Sequence, residues 1–478
     1  MDKKYGRDLT QGSIPRHLLN VAMPMMLGNL IQTSYSIVNA IWVGRICGKD
    51  ALGAVAVSFP VIFVFVAVAA GATMATTILV SQYYGAKEFD KVTRTVGTSF
   101  TLAIVLGVAL SAGGIFASDW ILALLGTPAS IVPQASPYLK ISFAGFTIMY
   151  MSFLVSSILR GVGDTKTPLL FMGVGVVVNI VLDPLLIIGV GPFPRMGLNG
   201  AAVASILSSA VGLVLGLTYL NRKAGIITFR LSAMRLDREM AALIVKIGFP
   251  SMLQQSAVSL GMATVTSIIN GFGASATAAF GAAGRIDQLA FFPAMSIGMA
   301  VSAIAGQNIG AGKIDRVRQT FRWGVLMTVC ISAFLSIFFL GMPHILLSAF
   351  LTDAEVIKLG GTYLRIVGPT SVMFAIMFVS NGIINGAGHT ITTLVFTIFA
   401  VWCVRVPAAM FLAKTSLGLT GVWFGFALGF AGAMAISLIW YKTGRWQKSV
   451  IRHGATKGPT VLPPAIEEPP PAAAGTGV

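Results

Sequence analysis

The sequence predicts an all-α polytopic membrane protein, with twelve transmembrane helices in two six-helix lobes related by a pseudo-two-fold axis along the membrane normal. Three observations carry that prediction: the composition, the recurrence of long apolar runs, and a self-similarity at a constant offset. Of 478 residues, 55% are hydrophobic and only 10% are charged, against about 25% charged in an ordinary soluble domain. Runs long enough to cross roughly 30 Å of hydrocarbon fall near residues 18–43, 52–78, 97–116, 138–158, 168–190, 198–219, 247–270, 279–304, 323–341, 361–384, 393–412 and 419–441.

Displaced by 225 residues, "SQYYGAKEFDKVTRT" (Ser81 to Thr95) aligns with "GQNIGAGKIDRVRQT" (Gly306 to Thr320). Gln82, Gly85, Ala86, Asp90, Val92 and Thr95 meet identical residues at Gln307, Gly310, Ala311, Asp315, Val317 and Thr320. Nearly the same offset pairs Pro24 with Pro250, Tyr138 with Tyr363 and Gly161 with Gly386. Each unit holds six crossings, so both share one orientation, as in many secondary transporters. The expected division is residues 1–220 as the first lobe, 221–246 as a cytoplasmic linker, 247–441 as the second lobe and 442–478 as a disordered cytoplasmic tail, Pro/Ala-rich at its end.

The formal charge of +17 suggests nucleic acid at first sight, but Lys and Arg gather in alternate loops. Lys3, Lys4, Arg7 and Arg16, then Lys87, Lys91 and Arg94, Arg222 to Arg238, Lys313 to Arg322 and Lys442 to Lys457 form one set. The positive-inside rule places those loops and both termini in the cytoplasm, with the protein multi-pass in the cytoplasmic (inner) membrane, bound to lipid and not to nucleic acid. Cys47, Cys330 and Cys403 have no paired spacing, so neither a disulfide framework nor a metal site is expected. "RGVGDTKTP" (Arg160 to Pro168) lacks the Gly directly before Lys that a phosphate loop requires and reads as a tight turn. No ATP-binding subunit, nucleophile elbow or catalytic carboxylate pair is indicated; the reading is not an enzyme, without cofactor, acting as a monomer.

Polar residues inside the apolar runs are the candidate site. In the first run Asn29, Gln32, Ser36 and Asn39 share one face, turned either to a wet cavity or to a neighbouring helix. Tyr150 adds a polar group in the fourth and Gln255 in the seventh; Asn381 does so in the tenth. An aspartate at a helix centre costs roughly 2.5–3.5 kcal/mol on insertion scales and so faces an interior with a function or a structural bond. Asp183 and Asp287 are the two such acids. Asn179 lies one turn before Asp183 on the same face, and Pro184 deprives the carbonyl of Ile180 of its helical partner. That group can hold a small cation, or a proton, because a poor dielectric disfavours a bare charge. In the second half Pro407 is retained, but Val406 stands where Asp183 would lie. The neighbouring Arg405 is expected to pair with Asp287 or a helix end.

"MPMMLGNLIQTSYSIVNAIWVGRICGKDALGAV" (Met23 to Val55), "LRGVGDTKTP" (Leu159 to Pro168), "NIVLDPLLIIGVGPFPRMGLNGAAVAS" (Asn179 to Ser205) and "GQNIGAG" (Gly306 to Gly312) together resemble the multidrug and toxic compound extrusion (MATE) family, from about Leu18 to Tyr441. The resemblance implies alternating access and an antiporter that exports small organic, often cationic, compounds in exchange for H+ or Na+. It implies that Asn179 and Asp183 belong to a cation-responsive site of the first lobe. Where the family commonly carries an aspartate in the first helix, in a segment like "VDTxFVGR", this chain presents Asn39 in "VNAIWVGR". Asn39 can offer an oxygen to sodium but cannot titrate, so coupling would fall mainly on Asp183. A lipid-linked precursor flippase is the alternative; it would need several cations in its cavity, and Arg405 is the clearest within a helix.

Overall fold

The structure, a computed structural model, describes residues 6–223, 236–349, 352–449 and 451. Among these it is helical with no strand: α1 (Ile14–Cys47), α2 (Lys49–Gly85), α3 (Phe89–Leu124), α4 (Val132–Ala144), α5 (Phe146–Gly161), α6 (Lys166–Ile188) and α7 (Leu198–Lys223) form the first half. The second half holds α8 (Arg238–Asn270), α9 (Ala274–Gly310), α10 (Ile314–Gly341), α11 (Pro343–Ser348), α12 (Ala354–Val367), α13 (Ser371–Gly386), α14 (Thr390–Ile398), α15 (Val406–Ala413) and α16 (Leu419–Lys442). A π-helical stretch, Phe399–Arg405, joins α14 to α15.

Nine helical spans among the described residues are long and apolar enough to cross a bilayer, with α12–α13 and α14–α15 each one span, and the pair α4–α5, bent by 45°, makes a tenth. α1 and α8, of 34 and 33 residues, complete the twelve. Each opens its half, and each carries a stripe of amides and hydroxyls that dilutes its hydropathy. The interruption of the α-helix at this place also repeats, because α4 gives way to α5 at Gly145 while α12 gives way to α13 through the 3₁₀ turn Gly368–Thr370, one offset of about 225 away. Most helices overrun the apolar segments by one or two turns, since backbone hydrogen bonding continues into the polar interface.

The linker expected at 221–246 is largely helix where it is described. α7 runs to Lys223, residues 224–235 lie outside the described residues, and α8 begins at Arg238. Asp237 caps α8, its Oδ1 accepting from the backbone N–H of Glu239 (3.0 Å) and of Met240 (3.1 Å), and Met240 and Ile244 then pack into the core of the first half. The Arg94 guanidinium donates to Asp237 Oδ2. This bond, followed by the Met240 N–H, holds the Asp237 carboxyl below the ordinary carboxylate range. A carboxyl lowered by folding stabilises above its unfolded value, and that contribution is lost as pH falls through the folded one. Asp237→Ala is therefore expected to cost about 1 kcal/mol of cap stability. In thermal melts of the purified protein, the midpoint of the variant should fall less steeply with acid than that of the wild type.

The tail expected to be disordered from Lys442 is ordered at its start. Trp446 is buried and stacks on Tyr441 at 5.3 Å, and Ile451 joins the first core. The remainder of that segment lies outside the described residues.

The two halves meet at the end where Lys87, Lys91, Lys313 and Arg316 gather, here termed the basic end. α2 is buried almost continuously from Ala67 to Gly85, whereas only Ala51, Ala54 and Ser58 are buried in its preceding part; α9 likewise closes from Pro293 to Gly310. The contacts are reciprocal. Gln82 Nε2 donates to the carbonyl of Gly386 (2.7 Å), and Gln307 Nε2 donates to that of Gly161 (3.1 Å). A Cβ on Gly85 would stand 2.0 Å from the carbonyl oxygen of Gln307, and one on Gly310 would stand 1.9 Å from that of Gln82. Two segments outside the spans reinforce this closure: the N–H of Leu9 bonds Gln307 Oε1 (3.0 Å), and Ser449 Oγ bonds Gln82 Oε1 (3.0 Å). α1 follows the same pattern, its Ile14, Leu18 and Val21 sharing a core with Ile297, Val301 and Ile304 of α9.

Candidate functional site

Asp183 is fully buried and Asn179 is 2% exposed, both on α6. The helix continues through Pro184 without a break, as membrane helices allow when neighbours satisfy the freed groups. Asp183 Oδ2 accepts from Asn39 Nδ2 of α1 at 3.3 Å; the same amide donates to Tyr35 Oη at 3.1 Å. Tyr35 Oη shares a hydrogen bond with Ser205 Oγ of α7 (3.1 Å), and Asn179 Nδ2 donates to that Ser205 oxygen at 3.4 Å. Three helices thus close a ring of hard oxygens and amides around one carboxylate.

The ring is incomplete. Asp183 Oδ1 and Asn179 Oδ1 are buried acceptors with no hydrogen-bond partner. Buried polar groups are rarely left so, and those that are call for an ion, a proton or water. A carboxylate oxygen, an amide oxygen and two neighbouring hydroxyls suit a hard monovalent cation or a proton. α6 starts at the basic end, and Asp183 lies 17 residues along it (183 − 166), on the order of 25 Å. That depth is about the level at which the buried stretches of α2, from Gly85 back to Ala67, and of α9, from Gly310 back to Pro293, come to an end.

The other expected residues are placed as follows. Asn29 of α1 donates to Ser296 Oγ of α9 at 3.3 Å, so it joins the two halves. Gln32, Ser36 and Gln255 are exposed side chains on α1 and α8. Tyr150 is not among them: it is 4% exposed within the core of the first half, against Phe146, because that face of α5 is covered by α2 and α3. Asn381 Oδ1 accepts from Ser437 Oγ at 3.0 Å. Asp287 of α9 accepts from Tyr363 Oη of α12 at 3.3 Å. Arg405 is not its partner; neither residue forms an ion pair among the described residues, and the guanidinium stacks on aromatic rings instead. Tyr35 and Ser205 are site residues that the polar-stripe reading missed.

The turn expected at Arg160 to Pro168 is observed. Asp164 accepts from the N–H (3.1 Å) and hydroxyl (2.7 Å) of Thr167, and Lys166 opens α6. Among the described residues no group of His, Cys, Asp and Glu could hold a metal ion.

Two repeated six-helix lobes, packed together at one end and carrying within the first a polar ring around a buried carboxylate, define a two-lobed membrane transporter. The chain belongs to the MatE family, whose model matches residues 24–185 and 250–411, once in each lobe. It is 33% identical over 444 residues to the probable multidrug resistance protein YoeA of Bacillus subtilis, covering 92% of this chain and 96% of that one. With the probable multidrug resistance protein NorM of Thermotoga maritima it shares 28% over 439 residues, 92% of this chain and 94% of that one. A solved outward-facing multidrug resistance MATE transporter superposes with a TM-score of 0.86 at 26% identity, over 93% of this chain and 98% of that one.

Proposed function

We propose that this transporter is an antiporter that exports small organic compounds, cationic groups among them, in exchange for H+ or Na+ at Asp183. The observation that carries this reading is the pair of orphaned acceptors, Asp183 Oδ1 and Asn179 Oδ1, in a buried ring at about the level where the buried stretches of α2 and α9 end. The basic end is the cytoplasmic one by the positive-inside rule, so the conformation described is closed to the cytoplasm. The coupling ion biases the lobes only through unequal affinity for the two states: bound while the outer half is open, it is released once the cytoplasmic contacts part. Asn39, an amide, holds the carboxylate through a donated hydrogen bond and leaves the titrating or charge-bearing role to Asp183 alone. The names of its relatives, multidrug resistance proteins from several bacteria, support the breadth of substrate.

Dye flux into everted vesicles distinguishes the two ions. In sodium-free buffer an imposed proton gradient drives accumulation if the ring exchanges protons; if it exchanges sodium, only a sodium gradient does. Accumulation that depends on neither gradient would contradict antiport.

A further inference from the structure

The second lobe buries a charge of opposite sign one residue from the position that Asp183 occupies in the first, at Arg405 beside Val406. Gly200 of α7 packs against the backbone of Leu186, and Gly425 of α16 packs against that of Ala409, so the α14–α15 span and α16 are the counterparts of α6 and α7. Tyr138 of α4 and Tyr363 of α12 correspond at the same offset of 225 residues. Where the first lobe buries a carboxylate, the second buries a guanidinium.

Arg405 is 8% exposed, and its Nε has no hydrogen-bond partner. Its faces are covered, with the guanidinium carbon 4.5 Å from the ring centre of Phe430 and 5.2 Å from that of Phe426. Gly429 makes the room, since a Cβ there would lie 2.9 Å from Nε. Stacking satisfies the faces of a guanidinium but not its N–H edge, which is the part that matches a carboxylate. Asp287, the acid expected to meet it, bonds Tyr363 instead. The residue also ends the π-helical stretch Phe399–Arg405, a backbone irregularity that recurs at functional sites.

We propose that Arg405 is the anion-recognition residue of the second lobe and binds the carboxylate of an exported organic solute, so that amphoteric compounds are preferred over their esters. The proposal rests on the efflux reading only for the route by which the solute arrives.

The test uses the purified full chain in lipid nanodiscs and a matched pair of dyes, a rhodamine with a free benzoate and its methyl ester, followed by fluorescence polarisation. The wild type should bind the free acid at least about tenfold more tightly than the ester, the scale of one charge-assisted hydrogen-bonded contact. Arg405→Gln should erase that ratio and leave the ester's affinity unchanged, and Arg405→Lys should restore part of it. A wild-type ratio near one, or a ratio that survives in Arg405→Gln, overturns the assignment. Should the Gln variant not fold, sodium benzoate added to the wild type decides: it should displace the free acid and not the ester, and failure to displace overturns the proposal equally. Export of both dyes without a carboxylate preference sinks the anion site alone. A carboxylate preference without export of either dye sinks the efflux reading alone.

Discussion

Replacing Asp183 by Asn is expected to abolish uphill export: everted vesicles with the variant should accumulate dye no faster than vesicles without the protein, at matched expression. The amide keeps the shape and can still bond to Asn39, but it cannot take up a proton and offers a weaker ligand to sodium. What is lost is coupling rather than packing. A gradient of 100 mV acting on one charge supplies about 2.3 kcal/mol, about fiftyfold in concentration ratio, and that factor is what the variant forgoes. Because Asp183 Oδ1 has no protein partner, little structural bonding is sacrificed, and the variant should retain the thermal stability of the wild type. Accumulation within twofold of wild type would remove Asp183 from the mechanism.

Gly310→Val should prevent closure at the basic end. The new Cβ would stand 1.9 Å from the carbonyl oxygen of Gln82, and real Cβ contacts under 3.0 Å essentially never occur. Backbone meets backbone here, so no rotamer relieves the overlap and the lobes must separate. Gly85→Val should act alike, because its Cβ meets the carbonyl of Gln307 at 2.0 Å. The two repeats would thus give the same phenotype from opposite lobes. Spin labels at Asp90→Cys and Asp315→Cys, equivalent exposed positions of the two repeats, placed in a background without Cys47, Cys330 and Cys403, report the distance across this end. The variants should shift the distribution at least about tenfold towards the longer population, because packed interfaces are bistable rather than continuously deformable. An unchanged distribution would mean that the glycine contacts do not hold the state described.

The helices and their duplication were legible because hydropathy and an unbroken offset are properties of the chain itself. Asp183 and Asn179 were legible for a related reason: a carboxylate amid hydrocarbon, with an amide one turn away, has few bland explanations. Tyr35 and Ser205 were not, since tyrosines and serines are common in membrane helices and their roles depend on how α1 and α7 are rotated against α6. Tyr150 failed in the converse way, because its face of α5 turns into the lobe core and nothing local signals that. Arg405 was legible as a cation amid hydrocarbon, but of its two expected partners, Asp287 or a helix end, the acid is not the one it meets. The π-helical stretch before it alters which side chains face inward, and Asp287 finds Tyr363, 76 positions away, before it finds a cation. The early start of α8 had a signal that was passed over, an aspartate at 237 followed by an acid in the first turn. Gln82 and Gln307 revealed the repeat in sequence, whereas the bond that each donates to a glycine carbonyl of the other lobe, Gly386 and Gly161, is visible only in three dimensions.

The central claim is that Asp183 exchanges its ionic partner when solute binds. Cation release on dye binding tests it most directly, measured on the purified protein with a pH indicator in weak buffer and with a sodium tracer in parallel. The account predicts that the wild type releases about one H+ or one Na+ per dye bound and that Asp183→Asn binds the dye and releases neither. Equal release from wild type and variant would contradict it.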